Sequence, residues 1–193
     1  MGMPKPRAAT YEDVLNAPPN MVAEVVNGQL HLQPRPAMPH AAAASAIGGE
    51  LAPPFTRGRG GPGGWILLDE PEIHLGADIV VPDIGGWRRA RMDVIPNAAF
   101  VALAPDWVAE VLSPGTERFD RGDKLAVYAR EQVAWVWLVN PRLRTLEILQ
   151  LGSDGRWILR GTYHGNIKVR AEPFDAIEFD LGALWANVEP SDV

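Results

Sequence analysis

Three charged residues stand where apolar ones would be expected. Asp83 closes the run DIVVPD, Glu110 interrupts WVAEVL, and Lys124 follows on the next segment of helical character. A charge inside a core strand is costly unless a partner or a cation compensates it. Two carboxylates converging from neighbouring strands suit a hard divalent cation such as Mg2+ or Mn2+, which prefers oxygen ligands. A lysine beside them can orient an activated water and stabilise the charge that develops on a transferring phosphate. That combination is a recipe for metal-dependent phosphodiester hydrolysis. The same residues also fit a plain structural ion pair between Glu110 and Lys124, with Asp83 opening a turn.

The elements that must position these residues are legible in outline. Side chains alternate along a strand, so Glu110 shares its face with Val108 and Leu112. Residues 117–130 read as a helix with Leu125 at the centre of its buried stripe, flanked by Gly122, Tyr128 and Ala129. Lys124 falls on the flank, and Asp120, Lys124 and Tyr128 line one ridge at four-residue spacing. A long lysine there can lay its stem along the sheet and bring its ammonium toward Glu110.

Around this unit, Thr10 with Asp13 resembles a capping box ahead of a short helix over 11–17. Asn27–Gly28 between apolar arms predicts an N-terminal hairpin. The alanine-rich MPHAAAASAIGGEL predicts a helix that Pro53–Pro54 stops, and the stretch TRGRGGPGG, residues 56–64, predicts a flexible loop. The segments WILLDEPEIHL, DIVVPDIGGW, DWVAEVLSP and AWVWLVNP supply strands. A C-terminal hairpin turns about Ser153–Asp154–Gly155, and a short helix near GALWANV closes the chain. The fold class is α/β (α+β mixed): a mixed central β-sheet flanked by helices, with a parallel pair joined across the 117–130 helix.

Composition narrows the function. The 193 residues suit a single domain, 1–193, at 47% hydrophobic and 22% charged. There is no cysteine, which removes disulfides and thiolate chemistry and fits a reducing cytosol. No apolar leader or membrane-length run is present, so a cytoplasmic protein with no membrane partner is expected. The net charge of −6 argues against coating nucleic acid through bulk charge, although arginines cluster locally. Arg57 and Arg59 in the glycine-rich loop suggest either a flap over a phosphate backbone or a plain connection.

VPD followed 27 residues later by EVL, with a lysine on the next helix, resembles the PD-(D/E)XK nuclease superfamily. More narrowly, EVVNGQL, PHAAAASAIGGEL, VVPDI, PDWVAEVLSPGTERFDRGDKLAVYARE and WVWLVNP resemble, in order, the Uma-type family of restriction-endonuclease-like bacterial proteins. The resemblance implies a restriction-endonuclease-like core, Mg2+ or Mn2+ held by Asp83 and Glu110, and Lys124 as catalytic lysine. The superfamily usually carries its lysine two residues after the acid, where this chain has Leu112. In the Uma-type family the lysine has moved to the helix, at the position of Lys124.

Two accessory candidates come from the same resemblance. Glu24 matches an acidic position of the first hairpin, and His40 matches a histidine that can approach the phosphate. A solvent-facing glutamate and a helix-start histidine are the plain alternatives. Asp120 is a third accessory candidate, pairing with Lys124 four residues on. Tyr128 reads as packing at the core edge, while His31, His74 and His164 lack metal-site spacing. The seven tryptophans read as core and interface residues, with Trp87 beside Arg88–Arg89 the one a base-stacking role would select. Two functions remain open: an endonuclease acting on nucleic acid, DNA in the first instance, as a homodimer; or a binding or assembly module that keeps the fold without cutting.

Overall fold

The hairpin signal is realised in its expected turn. Asn27 and Gly28 both take positive φ, +53° and +73°, as a two-residue turn with the right-handed twist of its strands requires. In the computed structural model, which describes residues 7–189, a short helix α1 (Tyr11–Leu15) precedes this hairpin. Asp13 accepts the Thr10 backbone N–H at 2.8 Å at its start. The hairpin strands are β1 (Met21–Val26) and β2 (Gln29–Pro34), paired with Glu24 opposite His31. Helix α2 (Met38–Leu51) follows. Pro53–Pro54 ends its regular hydrogen bonding, and the chain continues through a wider π-turn, Ala52–Thr56.

Strands β3 (Trp65–Asp69), β4 (Ile73–Leu75), β5 (Asp78–Val80), β6 (Ile84–Arg88) and β7 (Trp107–Val111) come next. Then α3 (Glu117–Phe119), a π-turn (Asp120–Lys124) and α4 (Leu125–Arg130) run end to end, giving the expected helical stretch over 117–130 with a bulge in its middle. Strand β8 (Trp135–Asn140) precedes the second hairpin, β9 (Thr145–Leu151) with β10 (Trp157–His164). A small pair, β11 (Lys168–Val169) with β12 (Phe179–Asp180), and a 3-10 turn, Leu181–Trp185, close the described chain.

The strands form a large mixed sheet in the order β10-β9-β8-β7-β6-β3 and a small sheet in the order β2-β1-β5-β4. Only β7 and β8 run parallel in the large sheet, and the 117–130 helix carries the crossover between them. One apparent extended run, DIVVPDIGGW, divides between the two sheets. Its first part is β5 of the small sheet and its second is β6 of the large one, so Val81–Pro82–Asp83 is the crossing. Proline suits that link because it has no N–H to leave unpaired.

Strand β7 is buried on both faces. Trp107, Ala109 and Val111 join Trp137 and Phe174 in one core, while Val108 and Leu112 join Val136 and Leu138 in another. Glu110 therefore opens on the second face, as the alternation predicts. On β6, glycine is required by what lies against it. A Cβ at Gly86 would stand 2.9 Å from the Trp107 ring, and one at Gly85 would stand 2.7 Å from the Trp87 ring.

Candidate active site

The helical stretch faces the sheet differently from the sequence expectation. Asp120, Lys124, Val127 and Tyr128 are buried, Leu125 is half-buried and Gly122 is exposed. The π-turn over Asp120–Lys124 inserts an extra residue into the turn and rotates the ridge Asp120–Lys124–Tyr128 inward. Lys124 is thus at the centre of the buried face and not on its flank.

Its ammonium meets three carboxylates. Lys124 Nζ lies 2.8 Å from Glu110 Oε1, 3.2 Å from Glu24 Oε1 and 3.7 Å from Asp120 Oδ1. It also donates to the Val81 carbonyl at 3.4 Å, which ties the helix to the crossing between the sheets. The Tyr128 hydroxyl donates to the same Glu110 oxygen. Tyrosine is here both a packing residue and a polar partner, where the sequence suggested packing alone. The signal was its place on the Asp120–Lys124 ridge.

Glu24 is no solvent-facing glutamate. Its Oε1 accepts the Val81 backbone N–H at 2.7 Å and its Oε2 accepts the Gln33 side-chain amide at 2.8 Å, so the hairpin is fastened to the crossing. Asp83 sits at the end of the crossing. Its Oδ2 accepts the Val111 N–H at 2.6 Å, and its Oδ1 lies 3.2 Å from His40 Nε2 in the first turn of α2. His40 Nδ1 is buried with no hydrogen-bond partner among the described residues.

All six residues line one cavity of about 340 Å³ between the hairpin, the amino end of α2 and the 117–130 helix. Glu24, His40, Asp83, Glu110, Asp120 and Lys124 therefore come together from five separate segments. Burial pushes the Glu110 carboxyl well above the usual carboxylate range; Lys124 opposes this, and Asp120, Asp83 and Glu24 add to it. Asp120 rises for the same first reason, burial, with Lys124 and the Thr116 hydroxyl opposing. Burial works against a charged Lys124, yet Glu110 and Glu24 outweigh it and hold the ammonium well above its ordinary value. The lysine is thus a fixed positive donor and not a base. Burial raises the Tyr128 hydroxyl, and the nearby Glu110 charge raises it further, so it stays a donor.

Other candidates lie elsewhere. No residue of 56–64 lines the cavity, and that loop is tied back by Arg59 N–H to Pro53 and Gly63 N–H to Pro54, each at 2.8 Å. Trp87 is fully buried, with its indole N–H on the Leu103 carbonyl, so it offers no ring for stacking. His31 stacks on Phe119, and His74 on Phe100. No described helix is long and apolar enough to cross a membrane.

A family model, Uma2, described as “Putative restriction endonuclease”, matches residues 8–182. No curated protein matches the chain. Among solved structures the chain is similar to one described as “a putative nuclease belonging to DUF820 from Anabaena variabilis ATCC 29413”. The TM-score is 0.69 at 19% identity, covering 92% of this chain and 97% of that one. At that identity the likeness concerns the fold, a mixed sheet with few helices.

Proposed function

The chain belongs to the Uma2 family, and on that premise we propose that it is a Mg2+- or Mn2+-dependent endonuclease hydrolysing phosphodiester bonds in DNA. The observation that carries the reading is an imbalance of charge. Glu24, Asp83, Glu110 and Asp120 face one cavity with a single lysine among them. Buried carboxylates in such surplus are relieved by protons, toward which Glu110 and Asp120 are shifted, or by a further cation, which this reading places between Asp83 and Glu110.

The donor set fits a hard one. Asp83 and Glu110 offer oxygen only, and Mg2+ is commonly held by one or two carboxylates with water and substrate phosphate completing its shell. Among the described residues no group of three or more acid, imidazole or thiol side chains is gathered as a metal cluster, so water and substrate phosphate would have to complete the shell. When bound, the cation would polarise a phosphoryl oxygen and lower the pKa of a water.

The chain's own residues supply the rest. Lys124, held in its charged form, would stabilise the negative charge that builds on the non-bridging phosphoryl oxygens as the bond from water oxygen to phosphorus forms and the bond to the ester oxygen breaks. The proton shed by the water goes through solvent to the departing oxygen. Glu24 and Asp120 hold that ammonium in place, and the Val111 N–H and His40 hold Asp83. We also propose a homodimer, the commonest symmetric assembly, which light scattering at micromolar concentration tests.

The reading is tested on Asp83→Asn, Glu110→Gln and Lys124→Met. Mn2+ affinity by calorimetry and cleavage of plasmid and single-stranded DNA should both fall sharply in the first two. Lys124→Met should keep Mn2+ binding and lose cleavage. Unchanged Mn2+ binding in the first two variants would sink the metal site. A specific observation favours the second function as well: Lys124 and Glu110 pair at 2.8 Å, as a structural ion pair would. Wild-type protein that cuts nothing in Mg2+ or Mn2+ while binding DNA would select that module.

A further inference from the structure

The cavity is a poor receptor for a duplex. Glu110 and Lys124, the groups that must meet the reacting phosphate, are each about 3% exposed. The recess of about 340 Å³ lies at the low end of small-molecule pockets, roughly 300–1,000 Å³. A B-form duplex carries a negative charge about every 1.7 Å along its axis, and its binders answer with a basic stripe. Here the lining holds five acids, Glu70 included, against two permanent cations, Lys124 and Arg35.

Those two cations are not alike. Lys124 is enclosed by its carboxylates, whereas the Arg35 side chain is 65% exposed at the mouth, with Glu70 4.0 Å away as a loose partner. Arg35 sits in the link between β2 and α2, flanked by Pro34 and Pro36, so its backbone is stiff and its side chain is free to turn. The amino end of α2 opens on the same recess through Ala37 and His40, and Ala37 and its neighbours line the path inward.

The rim is apolar. Leu32 lines the cavity at 42% exposure, and Met38, next to the lining residue Ala37, is 80% exposed. Leu32 and Met38 can cover the apolar face of an unstacked base, a face that a paired and stacked base does not present.

We propose that the substrate is a single nucleic-acid strand, drawn into the recess with one phosphate on Arg35 and its bases against the Leu32–Met38 rim. This deepens the nuclease reading and rests on it for the chemistry, but the binding assignment stands separately. Glu70 is only a loose partner of Arg35 at the mouth, and the incoming phosphate takes its place.

The test uses full-length protein, Ca2+ in place of Mg2+, and a 5′-labelled oligonucleotide read by fluorescence anisotropy. The single strand should bind at least about tenfold more tightly than the blunt duplex of the same sequence. Arg35→Ala should weaken single-strand binding about tenfold and flatten the dependence of log affinity on log salt by about 0.7, one phosphate contact on a single strand. Arg35→Lys should restore the salt slope. Equal or tighter duplex binding overturns the proposal, as does absence of binding to either, or an unchanged slope in Arg35→Ala. Wild-type protein that binds the single strand but cleaves nothing defeats the nuclease reading and leaves this one. Protein that cuts duplex faster than single strands does the reverse.

Discussion

Lys124 Nζ and Glu110 Oε1 lie 2.8 Å apart, one on a helix and one on the strand that helix covers, and neither side chain reaches bulk solvent. The pair is not neutral in sum. Glu24 and Asp120 approach the same ammonium, so one positive charge serves three carboxylates.

Lys124→Met should therefore destabilise the cation-free protein strongly, on the order of 3–5 kcal/mol, because three buried acids lose their partner at once. Millimolar Mn2+ should recover part of that loss in a thermal melt. The double variant Lys124→Met, Glu110→Gln should be more stable than the single one. A melt in which the double variant is no better than Lys124→Met would show that Glu110 is not what the lysine compensates.

Tyr128→Phe keeps the ring in the core and removes only the hydroxyl that Glu110 accepts. A hydrogen bond to a charged group contributes about 1.5–3 kcal/mol, and urea denaturation should show a loss of that size with an unchanged m-value. No loss would mean that the hydroxyl is replaced by water from the cavity.

The imidazole of His40 gives a pH signature. Burial works against its charge, but Asp83 and then Asp120 outweigh that and raise it above the ordinary 6.5. A raised folded value means that the native state holds the proton more tightly than the unfolded chain. The stabilisation is complete below 6.5 and is lost as pH rises through the folded value. Melting of cation-free wild type should fall across that window more steeply than melting of His40→Gln. Glu110, also raised, acts in the same direction in both proteins, so the difference between the two curves isolates His40. Parallel curves would remove the Asp83–His40 contact from the energetics.

Much of this site was legible because strands and helices obey fixed periods. Alternation along β7 placed Glu110 on the Val108–Leu112 face, and four-residue spacing placed Asp120, Lys124 and Tyr128 on one ridge. The departures have local causes. The π-turn has no marked composition in DRGDK, so the inward rotation of Lys124 could not be read from a 3.6-residue period. The division of DIVVPDIGGW between two sheets depends on which partners are available, and only Pro82 hints at it. Glu24 looked equally like a surface residue because its burial comes from Val81 and Gln33, one of them 57 residues away in the chain.

On β6, Gly86→Ala tests the packing beneath the site. The new methyl would stand 2.9 Å from the Trp107 ring and 3.0 Å from a Leu67 methyl, and both neighbours are held in the sheet. Overpacking of this kind costs about 1–3 kcal/mol. A loss within that range with Mn2+ affinity unchanged is expected, since Gly86 faces the core opposite the cavity. An unperturbed melt would mean that the Trp107 ring moves freely.

The last prediction separates holding from ligating. Glu24 spends Oε1 on the Val81 N–H and Lys124, and Oε2 on the Gln33 amide, so its charge is consumed within the protein. Glu24→Gln keeps one acceptor, and the Gln33 amide can turn its oxygen to accept from the new NH2, so the change removes the charge that faces Lys124 and little else. It should cost about 1–3 kcal/mol, because the buried ammonium exchanges a charged acceptor for a neutral one. If Asp83 and Glu110 are the metal ligands, Mn2+ affinity should change far less than in Asp83→Asn, while cleavage should fall because the ammonium loses one of its supports. Calorimetric Mn2+ titration of Glu24→Gln beside Asp83→Asn decides the matter. Equal loss of affinity in the two would make Glu24 a ligand in its own right.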